Sequence, residues 1–434
     1  MLFQKSTLER RKFSGFSLKK GMGILGSILV LQCVDAVALD LTAPFFLETA
    51  RTLPKGVRNP RFVNVFMSID SKFSDIGNAQ PLANPIDRSV RWSDVIDMEK
   101  DSIKKLAISA LLQANQIDSQ GGPGKTTGQV YSVFNVKVPA LAIGLSDRFT
   151  VGVGIPIVKI DVSADTGFQK NPDGQKFAER LCAASPVECT TAAARFNNAV
   201  NDKLTNYGYA PVASSSSTHI GDVQIIGKYS LYQDEVQGFA LKSTFVLPTG
   251  RVSDVNAAVD LPTGDGRFQV GGVATYDRVF ASDYRWNTYG GIQALMPFSQ
   301  ERRVPVELGN PVSNEKETLT RNLAGLITAG TSIVRKLGPT GVSIGAGYNL
   351  QYMTGASYSG GTQYAPQRYG YLEALTPAQT LHSATVVAGF STVEWFQQKK
   401  FIYPFQANLI FSHPFSGRNA PNNDVVAGEL VLFF

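Results

Sequence analysis

The sequence predicts an all-β protein: a transmembrane, antiparallel, up-and-down β-barrel of about twelve strands, with helical segments in long extracellular loops. Three observations predict it. Twelve segments alternate apolar and polar residues with a period of two. The connections between them are alternately short and long. The chain ends on an alternating strand, Asp424-Val-Val-Ala-Gly-Glu-Leu-Val-Leu-Phe-Phe434, that closes on an aromatic residue.

The amino end has the order of an export signal. Lys5, Arg10, Arg11, Lys12, Lys19 and Lys20 precede an apolar run over 21–31, and Ala36-Val37-Ala38 places small residues where a signal peptidase reads them. The run is shorter than the ~20 residues a spanning helix needs. Residues 1–38 are therefore expected to be a cleaved signal peptide and 39–60 a periplasmic N-terminal segment, with the barrel over 61–434. The signal holds six of the 41 basic and two of the 35 acidic residues, which leaves 35 against 33. The basic isoelectric point is thus largely the signal's, and a nucleic-acid partner is not expected.

The strands are read at 61–73, 128–145, 147–163, 221–231, 236–248, 265–280, 283–297, 321–336, 339–355, 381–397, 399–413 and 424–434. In the first, Val63, Val65, Met67 and Ile69 oppose Asn64, Ser68, Asp70 and Lys72. In the third, the apolar set changes parity near Pro156, which suggests a bulge. In the eleventh, Phe401, Tyr403, Phe405, Leu409 and Phe411 share a face. Short turns fall at Ser146, 233–235, 281–282, 337–338 and Gln398; long loops fall at 74–127, 164–220, 249–264, 298–320, 356–380 and 414–423. Short turns on one rim and long loops on the other are the habit of outer-membrane barrels, and an even strand count puts both chain ends on the short-turn side. Aromatic residues, among them Tyr229, Phe280, Trp286, Trp395 and Phe433, gather toward that rim.

Parity places Asp70, Lys72, Asp222, Lys228, Lys242, Arg285 and Glu429 in the lumen, because a charge facing lipid at the midplane costs about 2–4 kcal/mol. Such a set fits either a polar channel or an internal salt-bridge network. Two loops carry helical patterns, an apolar stripe over 91–116 and another over 173–205. Their apolar faces are expected to fold into the barrel mouth as a gate or to cap it from outside. The second stripe carries Cys182 and Cys189, the two cysteines left after signal removal. In an unbroken helix they would lie about 10 Å apart; Pro186 between them permits a bend that lets them pair. The three histidines are scattered, so neither a metal site nor a cofactor is expected, and no Ser/His/Asp arrangement suggests an enzyme.

Turn motifs carry a resemblance. They are Thr52-Leu-Pro-Lys-Gly56, Ile143-Gly-Leu-Ser-Asp-Arg-Phe149, Gly154-Ile-Pro156, Gly221-Asp-Val-Gln-Ile-Ile-Gly-Lys-Tyr229, Phe245-Val-Leu-Pro-Thr-Gly250 and Asp260-Leu-Pro-Thr-Gly-Asp-Gly266. In this order they resemble the outer-membrane transporter family associated with meta-pathway phenol degradation, itself similar to channels for long-chain fatty acids and aromatic hydrocarbons. The resemblance is best over about 128–300. It implies a bacterial outer-membrane location and passive uptake of small hydrophobic or aromatic solutes. Outer-membrane lipids and the barrel-insertion machinery are the implied partners. The fatty-acid channels resemble larger barrels with an N-terminal plug, from which twelve strands and a short 39–60 segment depart. A general hydrophilic porin and a non-transporting structural barrel are the alternatives.

The mature protein is expected to begin at Leu39. The mass of material extracted from outer membranes checks this, and an uncleaved 1–38 would overturn the export reading.

Overall fold

A computed structural model describes residues 49–434 except 85–86, 100, 188–189, 191–197, 199, 203, 282 and 310. The expected signal peptide and Cys189 lie outside the described residues. From the amino end come β1 (Arg58–Ile69), the short β2 (Ser71–Phe73), β3 (Ala79–Pro81) and β4 (Ser89–Val90), then the long β5 (Gly124–Ser146). Next are β6 (Phe149–Gly154), β7 (Ile157–Lys170), β8 (Ser215–Ile220), β9 (Val223–Gln233), β10 (Gln237–Leu247), β11 (Gln269–Phe280) and β12 (Tyr284–Leu295). Then come β13 (Phe298–Arg303), β14 (Lys316–Arg321), β15 (Ala324–Lys336), β16 (Val342–Met353), β17 (Tyr358–Ser359), β18 (Gln379–Ser391), β19 (Phe405–Arg418) and β20 (Val425–Leu432).

Twelve strands close a ring in the order β1-β20-β19-β18-β16-β15-β12-β11-β10-β9-β6-β5, and β5 returns to β1. Every ladder is antiparallel. The seam is long on both sides: β1 runs against β5 from Arg58↔Ile143 to Ile69↔Ser132, and against β20 from Arg61↔Val431 to Met67↔Val425. The last residue completes it, since Phe434 and Arg58 exchange both backbone hydrogen bonds at 2.9 Å. Phe434, Leu430 and Val426 face outward, and Glu429, 5% exposed, faces inward.

Two of the twelve walls are broken in the middle. β6 continues into β7 across Ile155-Pro156, and β8 into β9 across Gly221-Asp222. Proline has no N–H to donate, but its carbonyl still accepts from Gly221 at 2.8 Å, and Ile155 N–H reaches Pro139 at 3.1 Å. The apolar set changes parity at Pro156 as expected, but the expected bulge does not occur, since β5 keeps one register against β6 and β7 across it. Odd residues Val153, Ile155, Ile157 and Lys159 stay outside; even residues Thr150, Pro156, Val158, Ile160 and Val162 stay inside. What changes is the side on which the apolar residues lie. Below Pro156 they cover the outer surface; above it they fill the interior, and the outer surface becomes Lys159, Asp161, Ser163 and Asp165. β1 and the middle of β5 behave likewise, with Val63, Val65, Met67, Phe134, Val136 and Val138 turned inward. The apolar face of β1, expected outside, is thus inside, and Asn64 shares the outer face with Phe62 and Phe66.

Short turns at 147–148, 234–236, 281–283 and 337–341 share one rim with the described chain ends. The fifth connection on that rim differs from the expected meeting of two strands at Gln398. β18 stops at Ser391, a short helix α5 (Val393–Gln397) follows, and β19 starts only at Phe405. Thr392 fixes this corner by donating to Tyr403 O at 2.7 Å and accepting from Phe405 N at 3.0 Å. The run Gln397-Gln-Lys-Lys400 offers no apolar alternation for a strand to bury. Rings still gather here: Trp395 lies 5.6 Å from Phe390 and 6.4 Å from Phe401, and Trp286 lies 5.9 Å from Tyr276.

The opposite rim carries the long loops. The stripe over 91–116 forms two helices, α1 (Trp92–Met98) and α2 (Ser102–Ala114), and the second loop opens with α3 (Pro172–Ala184). Asp101 and Asn171 cap α2 and α3 through bonds to Ile103 N and Gly174 N, both 2.8 Å. Trp92, Leu112, Ile117 and Phe177 form a separate core, with the Trp92 and Phe177 rings 4.8 Å apart. The break between α1 and α2 turns Ile103 and Leu106 outward, against the single stripe expected. Elsewhere on this rim β13, β14 and β17 make a small sheet, capped by α4 (Pro366–Ala374) through Val304, Leu319 and Leu372.

Trp92→Ala removes the central ring of this helical core and is expected to cost it about 3–5 kcal/mol. Proteolysis should then cut within 92–117 while the barrel fragment stays resistant. Equal protection of variant and wild type would show that the head does not depend on this core.

Candidate functional site

The candidate site is the interior of the barrel, which divides into an apolar upper part and a polar lower part. In the upper part the inward aliphatics of β1, β5 and β7 meet Val387 of β18, Ile410 of β19 and Ala427 of β20. Loop side chains descend among them: Val200, Leu204, Tyr209, Ala258, Leu261 and Val312 belong to the same cluster. Leu204 is fully buried. The loops therefore fold into the mouth and pack on the wall.

Arg303 holds three of these loops together. It is 1% exposed and donates to Tyr207 O and Val255 O at 2.7 Å, Gly208 O at 2.8 Å and Ser313 O at 2.5 Å. Its guanidinium lies 3.6 Å from the Tyr209 ring. Burial pushes the Arg303 pKa down and the Tyr209 pKa up.

The two Leu-Pro-Thr-Gly turns form a second clasp, at the break between β8 and β9. Thr249 bridges Gly221 O (2.8 Å) and Val223 N (3.0 Å), while Thr263 bridges Ile220 O (3.1 Å) and Arg251 N (3.0 Å). The glycines let the two turns touch: a Cβ on Gly264 would stand 2.4 Å from Asp222 Oδ1 and 2.7 Å from Gly250 Cα. Asp222 caps both turns, accepting from Gly250 N at 2.8 Å and Asp265 N at 3.1 Å. A bidentate Arg251–Asp260 pair at 2.9 and 2.6 Å closes the loop between them.

Below, the interior is polar. Gln224, Ser230, Lys242, Thr275, Asn349 and Asn408 are all buried. Here the amino-terminal segment enters. Lys55 N and Leu53 N bond to Asp147 (2.9 Å) and Thr150 (2.8 Å), and Arg51 reaches the carbonyls of Asp234 and Glu235. The chain then turns inward. Ala50 is fully buried, its Cβ within 3.2 Å of a Cβ built on Gly238. Asp277 receives Thr49 Oγ1 at 2.6 Å, Ala50 N at 2.8 Å and Asn287 Nδ2 at 2.6 Å. Lys228 donates to Thr49 O. The segment expected to be purely periplasmic is therefore tied into the lower lumen.

Of the seven residues placed in the lumen by parity, Asp222, Lys228, Lys242, Arg285 and Glu429 face inward. Glu429 meets Arg61 at 3.1 Å and accepts from Asn408 at 2.7 Å; its cation is not Lys72. Asp70 and Lys72 are corrections. β1 ends at Ile69, Asp70 is exposed in the bend that follows, and Lys72 lies in the β2–β3 hairpin beside Pro421. Counting parity past that bend carried them wrongly into the lumen. Cys182 lies in the last turns of α3, and its expected pairing involves a residue outside the described ones. Sequence reading missed Asp277, although it stands at inward parity with Gln269 and Thr275. It also missed Arg303, whose partners are carbonyls of distant loops that no spacing reveals.

Residues 113–298 match the family model described as "Putative MetA-pathway of phenol degradation", in line with the resemblance read from the turn motifs. Among solved structures, an outer-membrane channel from Pseudomonas putida F1 is 11% identical at a TM-score of 0.50, over 89% of this chain and 98% of that one. It shares the fold. The Pseudomonas putida toluene transporter TodX is 8% identical at a TM-score of 0.30, over 88% and 90% of the two chains. The Ralstonia pickettii toluene transporter TbuX is 8% identical at 0.31, over the same shares. No curated protein matches in sequence. The chain is thus an outer-membrane-type β-barrel of the channel fold.

Asp277→Ala removes the acceptor for Thr49 and Ala50, bonds to a charged group contributing about 1.5–3 kcal/mol each. The expected result is a larger single-channel conductance and faster cleavage at Arg51 by trypsin in proteoliposomes. Unchanged conductance with cleavage faster would show that the segment is tied but does not obstruct.

Proposed function

We propose that this protein is a passive outer-membrane channel for small hydrophobic solutes, aromatic ones included. One observation carries the reading: the upper lumen is lined by inward aliphatics and by apolar loop side chains folded among them. Such a lining disfavours hydrated sugars and ions and favours a solute that sheds little water on entry. The buried polar wall below, with the N-terminal segment tied across it, supports a narrow passage over a wide aqueous pore. The export signal, insertion through the terminal strand, contact with outer-membrane lipids and a Cys182–Cys189 bridge belong to the same proposal.

A general hydrophilic porin is the second reading, favoured by the charged lower lumen with Lys228, Lys242, Asp277 and Glu429. Flux into proteoliposomes separates the two. Phenol and toluene are expected to enter faster than arabinose of comparable size, relative to protein-free vesicles. Deleting 173–205 should raise the flux of both classes, because Val200 and Leu204 leave the mouth. Arabinose entering as fast as phenol through the intact protein would favour the porin.

A further inference from the structure

The corner between β18 and β19 carries charge and apolar surface that the chain itself does not use. Elsewhere on the short-turn rim the amino-terminal segment takes up polar groups: Lys55 N reaches Asp147 at 2.9 Å, and Arg51 reaches the carbonyls of Asp234 and Glu235. Residues 393–404 hold one acid, Glu394, and it pairs with Lys336 of β15. Lys399 and Lys400 are exposed, and among the described residues neither ammonium has a partner.

The backbone makes Lys399 an unexpected choice. Lys400 N donates to Trp395 O at 2.8 Å and Lys399 N to Phe396 O at 2.9 Å, which closes α5 in a Schellman motif. The left-handed position of that motif is held by Lys399, at φ 59°. Glycine takes this conformation without steric cost and is the usual residue there. A lysine is strained by its Cβ, and its ammonium finds no counter-charge within the described chain to offset that.

The corner lies on the outer side of the wall. Trp395 packs 5.6 Å from Phe390 and Phe401 6.1 Å from Phe405, and Phe390 and Phe405 continue the outward faces of β18 and β19. Trp395 also donates to Pro339 O at 2.9 Å, which ties the corner to the neighbouring turn. Beyond this anchor Ile402 is 77% and Tyr403 64% exposed. Further along the rim Arg335, at the end of β15, lies 5.2 Å from the Tyr284 ring. An apolar tip beside uncompensated cations, at the level of a ring girdle, has the composition that settles in a membrane interface and attracts anionic headgroups.

We propose that this corner is a binding site for an anionic phospholipid of the leaflet at the short-turn rim. Lys399 and Lys400 take the phosphate, and Ile402 and Tyr403 enter the boundary between headgroups and acyl chains. A zwitterionic lipid brings its own cation beside the phosphate and meets the two lysines less favourably. The site rests on the outer-membrane reading above and adds the class of lipid that holds the barrel at this corner.

Native mass spectrometry of the full chain in detergent tests it, with phosphatidylglycerol and phosphatidylcholine of the same acyl chains as competing probes. Phosphatidylglycerol is expected to bind in preference. That preference should fall about tenfold or more when Lys399→Gly and Lys400→Gln are combined. Glycine relieves the left-handed position, so the variant should fold as well as the wild type, and heat-modifiable gel migration verifies the closed barrel. Raising the ammonium acetate concentration should erase the wild-type preference, because exposed charges are screened by salt. Equal binding of the two lipids to the wild type, or an undiminished preference in the folded variant, would overturn the proposal. Phenol and arabinose fluxes in vesicles of phosphatidylcholine alone keep the two readings apart. If the lipid preference is absent and phenol still outpaces arabinose, the channel reading stands without the lipid site. If the preference is present and phenol gains nothing over arabinose, the lipid site stands and the channel reading falls.

Discussion

The constraint on which everything else rests is that a sheet in lipid can have no free edge. No water is available there to satisfy an exposed N–H or carbonyl, so the first and last strands must find each other. In this chain the seam is β1 between β20 and β5, and its register runs to the terminal residue, where Phe434 pairs with Arg58 in both directions. The register decides which way every side chain on these strands points. It sets Glu429 inward against Arg61 and Asn408, and Phe62 and Phe66 outward. A slip of one residue would put a carboxylate into lipid.

A second constraint arises where the wall rises beyond its lipid-facing part. At the lower level the outside must be apolar and the inside can be polar. At the upper level the outside meets water and the inside meets folded loops. β6 and β7 answer both demands on one continuous strand without changing parity, by moving the aliphatic residues from odd to even positions across Pro156. The same exchange in β1 and β5 builds an interior to which Val200, Leu204 and Tyr209 can bind. The hydrophobic effect that seats a barrel in its bilayer is thus used again, turned inside out, to seat loops in its mouth.

The contents of the lumen are then held by polar groups at three levels. Arg303 gathers loop carbonyls, Asp222 caps the paired Leu-Pro-Thr-Gly turns, and Asp277 receives the amino-terminal segment. Each is a buried charge satisfied by several donors or acceptors, the condition under which such burial is tolerated. Each joins segments far apart in sequence. The interior is consequently a set of docked pieces on a rigid wall.

The strand number, the two rims, the terminal strand and five of the seven inward charges were legible in the sequence, because period-two alternation and loop length are local properties. Where alternation was interrupted, reading failed for physical reasons. Beyond Ile69 the chain bends, so parity no longer reports a face, and Asp70 and Lys72 were misplaced. At Pro156 alternation was read as a change of strand geometry, when the environment on the two sides of the wall had changed. What the sequence alone determined is a closed barrel whose strands must pair in one register. Only the tertiary structure decided what fills it. Thr49 and Ala50, which reach Asp277, and the carbonyls that Arg303 gathers belong to the amino-terminal segment and to loops, whose positions follow from the closed wall and not from any spacing along the chain.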